Sequence, residues 1–442
     1  MTLQNASAWK IRPFTTARFD SRYVTGMCAL FAVLILGRAL SGMMLYVFFG
    51  VAALVFLASN PAHCATFLFF LLPTASIMKP YVGSMSYYTV FFFLTVAKMA
   101  ISHRKIDIRL FALVALFLAY NFAFFGTRGI TALITMASGI LLLYYLRQEN
   151  ISLKVVTIVF TAGICLASVL ALFRQQLPVI NGFIREITLK TGFLEYANRF
   201  SGLSGNPNYF TMDVIMAQAA LVVLMHREKK QTLYLICFGI LTVFGFMSVS
   251  QSYLLAWILL VFFWFILSLQ KGISGFVRFV FIGVLMLAVM GIFAFDYIEL
   301  FAFRIMKSIQ GGATNITTGR TDIWKDYLEA IMQNLKILFF GNGINTTIST
   351  GRATHNTYLE YIFYFGIVGT SLLWGAIKTA MGEISKVKIL WVPMLILLVR
   401  MLAIGLAAHD NLWFYLGLIS LLAQYCREQP AQDLAGMGGA EE

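Results

Sequence analysis

Ser252-Tyr-Leu-Leu-Ala-Trp-Ile-Leu-Leu-Val-Phe-Phe-Trp-Phe-Ile-Leu-Ser-Leu269 decides the fold class. The run carries no charge and stops at Gln270-Lys271. A helix crosses the hydrocarbon core with about 20 apolar residues, somewhat fewer where neighbours bury its ends. The stretch therefore reads as a membrane span, and the same reading repeats on both sides of it. Apolar runs lie at about 23–40, 43–58, 63–78, 83–101, 109–126, 130–146, 154–173, 209–225, 232–249, 277–298, 355–377, 389–407 and 411–425. With the first they predict an all-α polytopic membrane protein of about 12–14 transmembrane helices. Composition agrees. Of 442 residues, 60% are hydrophobic and 12% charged, and the mean hydropathy is +0.81. Soluble domains run nearer half apolar and a quarter charged, so a water-soluble, disordered or collagen-like chain is excluded.

The formal net charge of +14 comes from 33 Lys+Arg against 19 Asp+Glu. In a membrane chain such an excess points to sidedness before it points to nucleic acid, and none is expected as a partner. With the N-terminus cytoplasmic, the short inside connections hold Lys10, Arg12, Arg18 and Arg22, then Arg104, Lys105 and Arg109. Further along they hold Arg147 and Lys154; Arg227, Lys229 and Lys230; Lys271 and Arg278; Lys378, Lys386 and Lys388; and Arg427. The alternation puts both termini inside, in a single integral membrane unit over 1–442, with an uncleaved first span. Cys28, Cys64, Cys165, Cys237 and Cys426 are scattered through apolar stretches and read as membrane packing.

Two long segments fall outside, about 174–208 and 299–354. They carry Arg174, Arg185, Lys190 and Arg199, then Arg304, Lys307, Arg320, Lys325, Lys336 and Arg352. Two readings stand: solvated loops that tolerate charge, or a cationic surface for an anionic ligand. The second loop has Ile323, Trp324, Tyr327, Leu328, Ile331, Leu335 and Leu338 at helical spacing. It predicts an amphipathic helix on the membrane surface, N-capped by Thr321 and ended by Gly341 and Gly343. Arg320 then stands just before a helix N-terminus, where free backbone N–H groups and a guanidinium suit a phosphate. The first loop ends in Arg199-Phe-Ser-Gly-Leu-Ser-Gly-Asn-Pro-Asn-Tyr209. Gly202, Gly205, Pro207, Asn206 and Asn208 there are ordinary turn chemistry.

His355-Asn356 opens the next span, followed by Glu360, Gly366 and Gly369. A neutral imidazole at the outer surface can take a proton from a sugar hydroxyl; it can equally be interfacial or capping. Glu360 is an intramembrane carboxylate and a functional candidate by default. Gly366 and Gly369 let another helix approach closely. Arg128, Arg400 and Asp410 are weaker candidates of the same kind. No P-loop, dinucleotide turn, metal-ligand cluster, outer D-x-D pair or internal repeat is visible, so no cofactor or metal is expected.

Five pieces occur in order. They are Arg199-x-x-Gly-x-x-Gly-Asn-Pro-Asn208, Gly319-Arg-Thr-Asp-Ile-Trp324, Phe340-Gly-Asn-Gly343, His355-Asn-Thr-Tyr-Leu-Glu360 and Gly366-Ile-Val-Gly-Thr370. This order resembles the bacterial O-antigen polymerase and O-antigen ligase superfamily over roughly 199–375. The resemblance implies a glycosyltransferase of the C type, with its active site at the outer face of the cytoplasmic membrane. Its donor would be a glycan on undecaprenyl diphosphate and its acceptor a second glycan, with a flippase and a chain-length regulator as further partners. It implies His355 as base and Arg320 as one diphosphate-binding residue. Many members carry a second Arg in a Ser-Arg pair at an outer turn; here that turn reads Ser248-Val-Ser-Gln-Ser252, and Gln251 stands in its place. Arg199, Arg304 or Arg128 would then supply that charge, and Asn356 would support the base. The resemblance favours a polymerase of O-antigen or capsule, with a ligase to lipid A-core as the alternative. A lipid or glycan transporter is the rival of another class.

Overall fold

A computed structural model describes residues 19–78, 81–82, 85–103, 107–180, 188–189, 197–293, 295–310, 319–344, 346–348, 351–382, 384 and 387–428. The sidedness assigned to Lys10, Arg12, Arg18, Arg104, Lys105 and Lys386, and the outer cations Arg185 and Lys190, lie outside these residues. The chain is an all-α polytopic membrane protein. The first helices are α1 (Ser21–Leu40), α2 (Met44–Ala58), α3 (Pro61–Leu71), α4 (Tyr87–His103), α5 (Ile108–Phe125), α6 (Ile130–Leu146), α7 (Leu153–Leu172) and α8 (Pro207–Arg227). There follow α9 (Thr232–Met247), α10 (Gln251–Leu269), α11 (Gly272–Phe293), α12 (Phe295–Gln310), α13 (Arg320–Met332) and α14 (Leu335–Phe340). Last come α15 (Thr357–Met381), α16 (Trp391–Met401) and α17 (Asn411–Glu428). Two antiparallel pairs of two-residue strands, Tyr81–Val82 with Met85–Ser86 and Thr188–Leu189 with Ala197–Asn198, are the β-structure among the described residues.

Each apolar stretch read from the sequence finds a helix. Among the described residues, eight helices are long and apolar enough to cross a membrane. Four expectations need correction. Helix α12 carries on to Gln310, so the outer segment expected from 299 begins as helix. The single amphipathic helix is two, because Asn334 accepts Lys336 N–H and starts α14. The N-cap of α13 is Gly319 in the left-handed region, not Thr321, and Arg320 is the first helical residue. The span expected to 407 stops as helix at Met401, and an irregular segment fills the space before α17.

Helix α8 is the axis of the bundle. It is 89% buried, against 6% for α11, whose side chains face outward. A helix apolar on every side is stable only when surrounded. Two polar residues near its middle are satisfied by neighbours: the Tyr415 hydroxyl donates to Asp213 at 2.6 Å, and Gln218 donates to Thr242 at 2.9 Å. Interhelical bonds of this kind hold helices together where lipid supplies no hydrophobic drive between them.

Helix α15 is broken at Gly366, whose φ is 63°. The break frees carbonyls, which need partners in a low-dielectric setting. The outer loop supplies them. Asn342 N–H donates to Phe363 O at 2.8 Å, Gly343 N–H to Tyr364 O at 2.9 Å, and the Tyr120 hydroxyl to Phe365 O at 2.8 Å. A Cβ on Gly366 would lie 2.4 Å from the Phe339 carbonyl, and one on Gly341 2.3 Å from Tyr364 O. These glycines let α14 seat in the break, which bears out the close approach expected at Gly366. Gly366→Ala combines that clash with left-handed strain of about 1–3 kcal/mol. The detergent-purified variant should melt clearly below the parent protein; an unchanged melting temperature would show that the loop does not depend on this seat.

Candidate active site

The turn between α9 and α10 is where the charges meet. Its Val249 has a φ of 47°, rare for a β-branched residue and a mark of imposed geometry. Two consecutive carbonyls of this turn each accept a guanidinium. Arg199 donates through Nε to Ser248 O at 3.0 Å, and Arg304, from α12, donates to Val249 O. Ser250 caps α10 and donates to Asn208 Oδ1 at 2.9 Å, which ties the turn to the start of α8. From the other side, fully buried Arg400 on α16 donates to Ser252 Oγ, to Asn208 O at 2.7 Å and to Thr211 Oγ1 at 2.9 Å. Gln251, first residue of α10, thus sits in a turn reached by Arg199, Arg304 and Arg400.

Arg320 completes the set from α13. It donates to Ala403 O at 3.0 Å. Burial, then the charges of Arg304, Arg320 and Arg400, push Arg199 down to about 9. Arg304 is lowered by burial and then by Arg320, and Arg320 by burial. Like charges that disfavour one another's ionisation are close in space. These contacts run to carbonyls and hydroxyls, which orient a guanidinium without neutralising it. An anion among them would relieve the repulsion.

Arg128 does not join this set. It remains exposed in the turn between α5 and α6, where Gly129 and Phe125 pack against Ile344 and Gly343.

His355 is placed by its neighbours. Thr354 and Asn356 are buried and anchored. Asn356 caps α15, accepting Tyr358 N–H at 3.0 Å and Leu359 N–H at 3.2 Å. Thr354 O accepts the Trp324 indole N–H at 2.9 Å, and Arg352 O accepts the Tyr327 hydroxyl at 2.8 Å. The helix that carries Arg320 therefore also holds the His355 loop. Between its anchors His355 has a φ of 51° and an exposed side chain. Desolvation by the surrounding chain, then the Arg320 charge, hold its imidazole below the usual histidine range. It is a neutral acceptor at neutral pH.

Glu360 lies in the first turn of α15 and is buried. It accepts the Thr354 hydroxyl at 3.1 Å and Ala407 N–H at 3.2 Å. The segment it reaches, between α16 and α17, has its backbone bonded to side chains of several helices. Thr357 donates to Ile404 O at 2.6 Å and accepts Leu406 N–H at 3.0 Å. The Tyr209 hydroxyl donates to Gly405 O at 2.8 Å, and the Tyr209 ring stacks on His409 with centroids 4.4 Å apart. This segment and the convergence of Arg400 were not legible as parts of the site. The one signal was an arginine inside an apolar run.

Fold and site together define a multi-pass membrane protein whose long loops build a cationic pocket beside an exposed neutral imidazole. Residues 235–374 match the family model described as O-antigen ligase, in agreement with the resemblance to the O-antigen polymerase and ligase superfamily. The matched segment contains Arg304, Arg320, His355 and Glu360, whereas Arg199 and Arg400 lie beyond it. No curated protein matches the chain.

Two outcomes follow from this geometry. Arg320→Lys keeps the charge but loses the planar fork, so an anion held by two oxygens should lose about 1.5–3 kcal/mol of binding. Donor-dependent activity should fall about ten- to a hundredfold at normal protein level; full activity would remove Arg320 from the site. The depressed His355 pKa also sets a sign. Its neutral form persists below the ordinary histidine value of 6.5, so activity should hold to that pH and decline only as pH falls through the lowered value. A pH–rate profile with its acid limb above 6.5 would contradict the assignment.

Proposed function

We propose that this protein transfers a glycan from a polyprenyl diphosphate to the hydroxyl of an acceptor glycan at the outer face of the bacterial cytoplasmic membrane. The carrying observation is the convergence of Arg199, Arg304, Arg320 and Arg400 from four segments of chain, with His355 exposed beside them. In the reaction the acceptor oxygen attacks the anomeric carbon and its proton passes to the His355 imidazole. The bond from that carbon to the phosphate oxygen breaks, and the diphosphate leaves with the electron pair. Fixed guanidiniums stabilise charge where it develops, and a positioned base is worth about 10²–10⁴-fold. Among the four, Arg199, Arg304 and Arg400 take the place of the charge that Gln251 does not provide.

The reading extends to a polymerase, in which the acceptor is another lipid-linked repeat unit of O-antigen or capsule. The Gly319–Trp324 and His355–Glu360 pieces look closest to such polymerases, and Gln251 departs from the pattern associated with ligases. A second reading, ligase transfer of the finished polymer to lipid A-core, is favoured by the name of the matched family. A deletion strain examined by gel separates the two. Surface glycan capped with a single repeat is the expected result. Full-length polymer left on the lipid carrier above a bare core would instead make the protein a ligase.

A further inference from the structure

Glu360 touches both halves of the candidate site. On one side its Oε1 takes the Thr354 hydroxyl at 3.1 Å, and Thr354 Oγ1 in turn accepts Asn356 N–H at 3.1 Å. These are the two residues that flank His355. On the other side its Oε2 takes Ala407 N–H at 3.2 Å. The approach is close: a Cβ on Gly405 would lie 2.0 Å from Oε1. The stretch that contains Gly405 and Ala407 begins at Ala403, whose carbonyl orients Arg320. One buried carboxylate thus joins the backbone that aims the guanidinium to the backbone that aims the imidazole.

The join matters because His355 does not hold its own conformation. A φ of 51° is disfavoured for a residue with a Cβ and persists only where surrounding contacts impose it. Trp324 holds the Thr354 carbonyl and the Asn356 side chain caps α15, which fixes the two ends of the tripeptide. The Thr354 side chain is left to Glu360. Without that contact the 351–355 loop keeps its ends and loses its register against the arginines. Misplacement of a catalytic group by about 1 Å can cost a hundredfold in rate.

We propose that Glu360 is a positioning residue, which sets the His355 imidazole relative to the arginine pocket through Thr354 and the 403–407 backbone and does not itself touch substrate. The proposal rests on the transfer reaction above, with His355 as its base. The test is a steady-state assay of full-length purified protein with a lipid-diphosphate glycan donor. Glu360→Gln replaces the acceptor facing Ala407 N–H or Thr354 with a donor. It should lower kcat about ten- to a hundredfold and leave the donor KM within about twofold. Thr354→Val should do the same, and Thr354→Ser, which keeps the hydroxyl, should recover most of the loss. In a His355→Ala background, Glu360→Gln should add nothing beyond about twofold, since a misaimed base cannot be missed once it is gone. A further loss of about tenfold in the double variant would overturn the positioning role, as would equal losses in Thr354→Val and Thr354→Ser. If Glu360→Gln fails to fold, the Thr354 pair and its cycle with His355→Ala decide the same question. Full activity of His355→Ala alone would instead overturn the transfer reading beneath the proposal.

Discussion

Backbone that is not helical must still be hydrogen-bonded where lipid excludes water, and this constraint builds the candidate site. Helix α15 is interrupted at Gly366, and the outer loop docks on the freed carbonyls of Phe363, Tyr364 and Phe365. The 403–409 segment is irregular, and Arg320, Thr357, Glu360 and Tyr209 satisfy its groups. The side chains that carry the proposed chemistry are in part the same ones that satisfy the backbone. Arg320, Arg199 and Arg304 are aimed by carbonyls of irregular turns, so their guanidiniums are oriented before any ligand arrives.

Preorganisation of this kind has a cost that the fold carries elsewhere. Four guanidiniums near one another repel, and the burial of Arg199 shows in its lowered pKa. The surrounding bundle holds them through contacts of high sequence separation: α8 with α16 through Arg400, α12 with the α9–α10 turn through Arg304, and α13 with the 403 segment through Arg320. Oriented donors of a single charge sign favour a multiply charged anion, and they act on the charge that forms as a diphosphate departs.

Hydropathy made the spans legible, because a chain that crosses lipid must be apolar over a fixed length. The same signal hid the rest. Ala403 to Ala408 is apolar and reads as the end of a helix, although α16 has already stopped at Met401. Gly366 looks like any small residue at a helix interface, and nothing local shows that α14 will enter a break there. Arg320 and His355 were found because their motifs resemble a known family. Arg400 was noted only as a charge in an apolar run, since its partners Asn208, Thr211 and Ser252 are remote in sequence. Arg128 failed for the converse reason: an outer-surface Arg in a glycine turn has the right composition, and only the packing shows that it stands apart.

The central claim is that the four converging arginines form a diphosphate site. Equilibrium binding of glycan-free undecaprenyl diphosphate and undecaprenyl monophosphate to the purified protein, with Arg199→Ala and Arg320→Ala alongside, tests it most directly. The diphosphate should bind about tenfold or more tightly than the monophosphate, and each variant should erode this preference by about tenfold. Equal binding of the two lipids, or a preference untouched by both substitutions, would contradict it.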